Sequence, residues 1–552
     1  VERLQGAGNV VPAAIQKGAA MLMSAADYRE SLRRYKPRVF VNGRQVSSVA
    51  DEPLLAPALN AIGVTYDFAR NARLRPVMTA RQAPSGRVVN RFLQINRCGA
   101  DLLNKLEAVR LVCQVSGCAQ RYLTQDALNA IYQTTYRIDQ DRGTEYHSRL
   151  KEYLRFVEEG DLTCAVAMTD GKGDRSLRPH QQPIADSYVR IVERRADGVV
   201  IQGVKAIVTG APLCHELLVM PCRSMTERDA DFAVCCALPV DAPGVTLVAR
   251  PAGRPGEAGA GFSARYGQTT AVVHFERVLV PWERVFLAGE WEHSEHLTRS
   301  YATHHRHSCI GARAGFGDLL IGAGALMCEA NGLDLDRVHH LRDAMVELIK
   351  IVEGFFACGV AASVYGIQDP SGGFEPEPVF ANVGKLLLST QIYDMHRIAH
   401  YVSGGLVVAL PGPEEDHNPH TGGMLAEVLR GRPDIPYEKR MEVARLLEDV
   451  TASYAGGWYS VISLHGGGSP EAMKMEIFRH YPLGNKVDLV ERLLGREALA
   501  SPGRSITRNR QPGRCCLTGC QVPEVPAVAS LPAEPPKVEE SEPREEGGKV
   551  GW

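Results

Sequence analysis

The chain has 552 residues, 45% hydrophobic and 23% charged, with a formal net charge of −2. A chain this long divides into about two to four domains, because single cores stop growing beyond roughly 250–300 residues. Near-neutral charge excludes nucleic-acid binding by bulk electrostatics.

Residues 1–20 have weak periodicity and read as a flexible lead. At Ser24-Ala-Ala-Asp27 an N-cap with an acid in the first turn opens a helix expected to run through Tyr35. Helical patterns continue to Glu159, one expected over Val88–Ser116 and another carrying Asp126–Tyr132 and Thr135–Asp139. These make an N-terminal helical domain over 21–160. From Leu162 to Leu287 the texture is β-rich: Tyr188–Val192, Val199–Val208, Glu216–Met220, Phe232–Leu238, Val245–Ala249 and Thr269–Val280. Glycine and proline punctuate these runs, which predicts a β-domain over 161–290, antiparallel or barrel-like rather than a βαβ array.

After Pro281 helical periodicity returns in His293–Asn331, Asp334–Tyr365, Val379–Val407, Lys439–His465 and Glu471–Arg479. Several long helices in succession predict an up-and-down bundle over 291–500. The apolar run Ile310–Met327 contains Arg313 and Asp318 and suits a buried bundle helix better than a bilayer span. Met473 and Met475 read as core. Residues 501–552 are dominated by Pro, Glu, Gly, Val and Lys and are expected to be disordered, since they bury too little apolar area to offset ordering entropy. The fold class is thus α+β and mostly α. The 14 cysteines are scattered, without Cys-x-x-Cys; with no leader-like segment, this predicts reduced thiols, a cytoplasmic location and no membrane partner.

Two motifs carry chemistry. Met168-Thr-Asp-Gly-Lys-Gly-Asp-Arg-Ser176 reads as a loop built for a flavin. Its glycines permit close backbone approach, Lys172 and Arg175 offer positive charge, and Asp174 is placed to orient Arg175. The cluster Thr303-His-His-Arg-His-Ser-Cys309 sets His305 and Cys309 at i and i+4 on one helix face. His304 and His307 read as a solvated helix start. Arg313 suits either a substrate anion or Asp318.

Dispersed motifs in one order carry a more specific signal. They are Met21–Leu32, Thr134–Gln140, Ala167–Arg175, Thr209-Gly210, Ala381-Asn-Val-Gly-Lys385, Ser403-Gly-Gly-Leu406 and His465-Gly-Gly-Gly-Ser-Pro470. With them the chain resembles the family of 4-hydroxyphenylacetate 3-hydroxylases and 4-hydroxybutyryl-CoA dehydratases over roughly residues 20–490, and it is closer to the dehydratase branch. The resemblance implies an acyl-CoA dehydrogenase-like fold, a homotetramer, and FAD between the β-domain and the C-terminal bundle. By similarity, Met168, Thr169, Lys172, Asp174, Arg175, Thr209, Gly210, Gly456 and Gly457 are FAD-contact positions. Lys385 is similar to a family lysine near the flavin and is expected to act from a neighbouring subunit. Apolar surplus at Phe355-Phe356 and Leu386-Leu-Leu388 is expected to form the interface.

The departures from the family matter as much. The dehydratases hold a 4Fe-4S cluster through three cysteines and a histidine. Cys118 and His305 match two of these positions, while Tyr122 and Ala312 occupy the others, and neither replaces a thiolate. Rebuilding the cluster from Cys113, Cys118, His305 and Cys309 requires Cys113 to face Cys118, which a five-residue helical spacing opposes. Thr270 and Ile462 stand at the dehydratases' catalytic glutamates, Cys309 at a tyrosine and Arg313 at a lysine. Against the hydroxylases, Tyr122 is kept, Cys118 stands where an arginine is expected, and Val166 replaces a substrate-binding histidine.

The expectation is an FAD-dependent oxidoreductase without a metal site, a reduced-flavin monooxygenase served by a separate reductase. No Gly-x-Gly-x-x-Gly dinucleotide fingerprint follows a predicted strand. His305, Tyr122, Cys309, Arg313 and Cys118 are the catalytic candidates, His305 as general base or hydrogen-bond donor, and the substrate is a small aromatic or acyl-CoA compound. A cluster-free or rebuilt-cluster lyase or isomerase on an acyl-CoA is one alternative; a degenerate, non-catalytic member is the other.

Overall fold

A computed structural model describes residues 22–83, 85–253 and 261–494. The expected flexible lead and disordered tail therefore lie outside the described residues. The first helix, Ala25–Leu32, begins where the capping signal places it. The Asp27 amide donates to Ser24 Oγ at 3.1 Å, and the Ser24 amide donates to Asp27 Oδ2 at 2.9 Å. Two orphan amides are thus satisfied reciprocally. The helix stops at Leu32 rather than Tyr35.

The helix expected from Val88 begins instead at Gly99. Val88–Asn90 pairs antiparallel with Thr79–Arg81 in a short hairpin, and a 3-10 turn at Arg91–Leu93 follows, its entry capped by the Asn90 side chain. Local turn chemistry thus overrides apolar spacing. Gly99–Ser116, Tyr122–Arg142 and Tyr146–Glu159 complete the N-terminal helices beside Ala56–Arg70.

The β-rich region forms two sheets. Four strands, ordered Val285–Ala288, Val234–Pro239, Glu216–Val219 and Cys164–Ala167, make one. The other has six, ordered Arg44–Gln45, Arg38–Val41, Val245–Ala249, Thr270–Pro281, Gly198–Thr209 and Arg190–Arg194. Two findings depart from expectation. The N-terminal segment contributes Arg38–Val41 to the larger sheet, and the connectivity is mixed, since Arg38–Val41 runs parallel to Val245–Ala249 and Cys164–Ala167 parallel to Glu216–Val219.

Ser294–Ala330, 37 residues long, is the axis of the C-terminal part. Gly99–Ser116, Tyr122–Arg142, His339–Val364 and Pro378–Val402 pack around it. Trp291–Ala330 is long and apolar enough to cross a membrane by composition, yet 67% of its most apolar window is buried within the protein. That matches the reading of Ile310–Met327 as a core helix. Lys439–His465 divides into Tyr437–Thr451 and Tyr454–His465, with Ser453 capping the second helix. Phe355, Phe356 and Leu388 are buried inside the bundle rather than offered as surplus, whereas Val346, Ile349, Tyr365, Tyr393 and Tyr401 of the same helical stretch are exposed. Met473 is core, but Met475 faces outward.

Buried histidines tie the layers together. His215 Nδ1 accepts from the Thr163 amide at 3.0 Å, and its Nε2 lies 2.8 Å from Ser31 Oγ. His307 Nε2 lies 2.7 Å from Ser363 Oγ, and His296 Nδ1 lies 2.9 Å from Thr134 Oγ1. Burial, with nearby arginine or lysine adding to it, pushes all three down to about 3. Between that value and the free-histidine range the unfolded chain binds protons that the native chain refuses, so stability falls as pH falls below about 6.5. Each of these histidines is expected to cost about 1 kcal/mol on going from pH 6.5 to 5.5. Urea midpoints across pH 5–7 check this; a flat profile would contradict the burial of neutral rings.

Candidate active site

The Ser294–Ala330 helix sets His305, Cys309 and Arg313 four residues apart, so all three lie along one face. Each is less than 10% exposed. Two neighbouring helices supply their partners. Tyr122–Arg142 contributes Tyr122 and Asp126, themselves one turn apart, and Gly99–Ser116 contributes Lys105. Asp126 is the hub: Oδ1 accepts from Lys105 Nζ at 2.6 Å and from Ser308 Oγ at 2.8 Å, while Oδ2 lies 3.2 Å from His305 Nδ1. On the far side of the imidazole, Nε2 lies 3.6 Å from Cys309 Sγ. Tyr122 and Tyr301 stack on His305, with centroids at 6.3 and 5.5 Å.

Burial pushes the His305 imidazole down, but the Cys309 sulfur and the Asp126 carboxylate overcome it and raise the group to about 9. Burial likewise opposes the Cys309 thiolate, and His305, Lys385 and Arg313 pull its thiol below the ordinary range. The imidazole is thus held toward its protonated form, with Asp126 at Nδ1 and the Cys309 sulfur at Nε2.

A second thiol group adjoins the first. Arg313 Nη2 donates to Cys118 Sγ at 3.5 Å, and Cys118 Sγ lies 3.6 Å from Tyr122 Oη. Cys113 is not rotated away from Cys118. Its helix ends at Ser116, so the two thiols are not on one helix; they hydrogen-bond, which together with Arg313 and Tyr122 lowers Cys118 to about 6. Arg313 does not pair with Asp318, which Arg110 holds through two bonds of 2.8 Å. Its remaining Nη1 is buried without a partner. Lys385 is fully buried in its own chain, donating to Ser389 Oγ and the Ser463 carbonyl at 2.6 Å each, and burial lowers it to about 8.

His304 and His307 are fully buried, not a solvated helix start, because the cluster lies more than two turns inside a helix packed by its neighbours. Arg306 is buried as well, donating to Asn382 Oδ1 at 2.6 Å and to the Gly467 carbonyl at 2.9 Å. It anchors the His465–Pro470 glycine run against the site, while His465 itself is exposed.

The positions similar to flavin contacts fall in three places. Thr209 pairs across the sheet with Thr270, and the Gly210 amide donates to the Thr269 carbonyl at 2.9 Å. Gly210 has φ of +74°, and a β-carbon there would stand 3.1 Å from Gln120 Oε1. Both side-chain polar atoms of buried Gln120 lack partners, as does Oε1 of Gln268, whose amide donates to the Cys118 carbonyl. Orphaned buried amides beside a glycine that leaves no side chain in the way fit a planar ligand rich in carbonyl and imide groups. This cradle fits a flavin.

The 168–176 loop is built differently from expectation. Asp174 accepts from the Ser176 amide and hydroxyl at 2.9 and 2.7 Å rather than orienting Arg175, because a two-residue Asx-type turn is closer at hand. Lys172 adopts a left-handed φ of +69°. A β-carbon on Gly173 would meet Gln182 Oε1, so that glycine serves the loop's own closure. Met168 and Thr169 are tied to the sheet: Lys205 Nζ donates to the Met168 carbonyl and the Ala206 amide to the Thr169 carbonyl. Asp174 and Arg175 are exposed. Gly456 is packed against Thr451, whereas Gly457 faces open space. Tyr459, one turn further on, stacks on Phe316 at 4.4 Å.

Asp126, Lys105, Gln120 and Gln268 were not singled out from sequence. Tyr122 and Asp126 share an i, i+4 spacing that hints at the pairing, but a single acid among apolar neighbours carries no specific signal. Among the described residues, no three His, Cys, Asp or Glu side chains converge as a metal site. Tyr122 and Ala312 offer no thiolate to such a site.

Comparison with known proteins adds the relatives. The family model described as 4-hydroxyphenylacetate 3-hydroxylase N terminal matches residues 24–287, and its C-terminal counterpart matches residues 294–495. The 4-hydroxybutyryl-CoA dehydratase/vinylacetyl-CoA-Delta-isomerase of Clostridium aminobutyricum is 35% identical over 491 residues, covering 86% of this chain and 100% of that protein. The 4-hydroxyphenylacetate 3-monooxygenase oxygenase component of Thermus thermophilus is 25% identical, covering 86% and 97%. The solved structure of an oxygen-tolerant archaeal 4-hydroxybutyryl-CoA dehydratase from N. maritimus superposes with a TM-score of 0.82 at 34% identity, covering 89% and 97%. An oxygenase component of 4-hydroxyphenylacetate 3-monooxygenase, solved with FAD and 4-hydroxyphenylacetate, shares the fold with a TM-score of 0.76 at 23% identity, covering 86% and 98%.

Proposed function

The chain belongs to the 4-hydroxyphenylacetate 3-hydroxylase family, and from that premise we propose that it is a cytoplasmic, homotetrameric FAD-dependent monooxygenase acting on a small aromatic substrate, with reduced flavin supplied by a separate reductase. The observation that carries this reading is the site's donor set. A flavin-compatible cradle at Gln120, Gly210 and Gln268 persists, while Tyr122 and Ala312 stand where an iron–sulfur cluster needs thiolates. Bound reduced flavin supplies the oxygen-activating chemistry. The Thr209-Gly210 turn and the Gln120 and Gln268 amides would hold the flavin.

The remaining work falls to side chains of this chain. Asp126 accepts from Nδ1–H and favours the imidazolium, whose second proton sits on Nε2 and faces the site. His305 delivers a proton from Nε2 to an oxygen there. Tyr122 and Arg313 offer donors to a substrate oxygen, and the buried walls exclude water. The exposed apolar residues of the His339–Val364 and Pro378–Val402 helices, Val346, Ile349, Tyr393 and Tyr401, suit a subunit interface.

A second reading, a cluster-free lyase or isomerase on an acyl-CoA, is favoured by the 35% identity across the whole clostridial dehydratase. One experiment separates them. Protein supplied with chemically reduced FAD and 18O2 is expected to place one labelled oxygen in a phenol from a panel, with no iron or sulfide in the anaerobically purified protein. Unlabelled products from every phenol, together with redox-neutral turnover of an acyl-CoA, would refute the monooxygenase reading.

A further inference from the structure

Cys309 extends the Asp126–His305 pair by a thiol to which the oxygenation step above assigns no role. Sγ lies 3.6 Å from His305 Nε2, and His305 Nδ1 lies 3.2 Å from Asp126 Oδ2. Asp126 is itself held by Lys105 and Ser308, so the carboxylate cannot swing away. This is the nucleophile–base–orienting-group order that activates a thiol. The stacked rings of Tyr122 and Tyr301 fix the imidazole plane.

The geometry points to Cys309 as a covalent nucleophile that adds to a small α,β-unsaturated carbonyl compound, with His305 as proton donor and Arg313 receiving the carbonyl oxygen. Acyl transfer fits less well. Cys309 lies inside a helix, where the neighbouring amides are already bonded to carbonyls four residues back and cannot form an oxyanion hole beside the sulfur. Conjugate addition moves the developing charge to an oxygen three bonds from the attacked carbon. Arg313 stands one turn onward, about 6 Å along the axis, and its buried Nη1 has no partner. Lys385 adds positive charge from the Pro378–Val402 helix.

The step balances. The Cys309 thiolate, its proton held on His305 Nε2, forms the S–C bond at the β-carbon with a sulfur lone pair, and the alkene π pair moves toward the carbonyl oxygen. The proton on His305 Nε2 passes to the α-carbon, leaving a thioether and neutral imidazole. Nothing is oxidised or reduced, and nothing leaves.

The test is site-mapped alkylation of the intact protein, as purified, by acrylamide, with maleimide-polyethylene glycol as a bulky comparison. Cys98, Cys222 and Cys358 are more exposed than Cys309, so a purely exposure-controlled order labels them first. The expected result is the reverse: Cys309 acquires the acrylamide mass at least about tenfold faster than those three, and the bulky reagent does not reach it. His305→Gln is expected to slow labelling of Cys309 by about tenfold or more, and Cys309→Ser to remove that adduct alone. Labelling of Cys98, Cys222 or Cys358 ahead of Cys309 in the unmodified protein overturns the proposal, even if the His305 variant fails to fold. An unchanged rate in a folded His305→Gln protein overturns it equally. The outcome does not depend on whether the flavin reading holds, because labelling is read by mass with FAD bound or removed.

Discussion

Asp126→Ala is expected to lower stability by about 3–5 kcal/mol, because it strands Lys105 as an uncompensated buried charge. Both side chains are wholly buried, and the 2.6 Å contact joins Gly99–Ser116 to Tyr122–Arg142. The same substitution removes the acceptor from Ser308 Oγ and the carboxylate facing His305 Nδ1. Replacing the ion pair together, as Lys105→Met with Asp126→Leu, is expected to recover much of the loss, since the desolvation of both charges is no longer needed. Urea denaturation of the two variants measures this. A single variant as stable as the parent would mean that Asp126 is not the hub drawn here.

The second large effect concerns turnover. His305→Gln keeps a side-chain amide to bond Asp126 but removes the titrating proton. The expected consequence under the monooxygenase reading is a loss of about 10²–10⁴ in kcat, with KM changed far less. Product labelling from 18O2 at saturating substrate reads it. Burial opposes protonation of His305, but Cys309 and Asp126 hold it charged up to about pH 9, so a donor role predicts that activity stays level across neutrality and falls as pH rises through that value. A rate that rises through the same range would instead make His305 a base. Circular dichroism identical to the parent's separates a chemical loss from an unfolded protein.

How much of this was readable beforehand depends on the range of the physics involved. The capped start at Ser24, the strands over 198–209 and 270–281 and the long 294–330 helix all follow from local signals: a capping pair, β-branched runs between turn residues, and sustained helical periodicity. His305, Cys309 and Arg313 were chosen by spacing and by likeness to a family, and the helix does place them on one face. The failures were non-local. Spacing along a continuous helix separates Cys113 from Cys118, but the helix ends between them and the chain turns the thiols together. Local proximity paired Arg313 with Asp318 and Asp174 with Arg175, whereas Arg110 from another helix and the nearby Ser176 compete for those carboxylates and win.

The sequence by itself therefore determined the helical, β-rich and helical order and the set of reactive side chains, because periodicity and turn chemistry act over a few residues. Only the tertiary structure decided their chemistry. Asp126, Lys105, Gln120 and Gln268 enter from segments far along the chain. Whether a histidine is charged, or an amide is left without a partner, depends on what other segments bring within about 4 Å of it once water has been excluded.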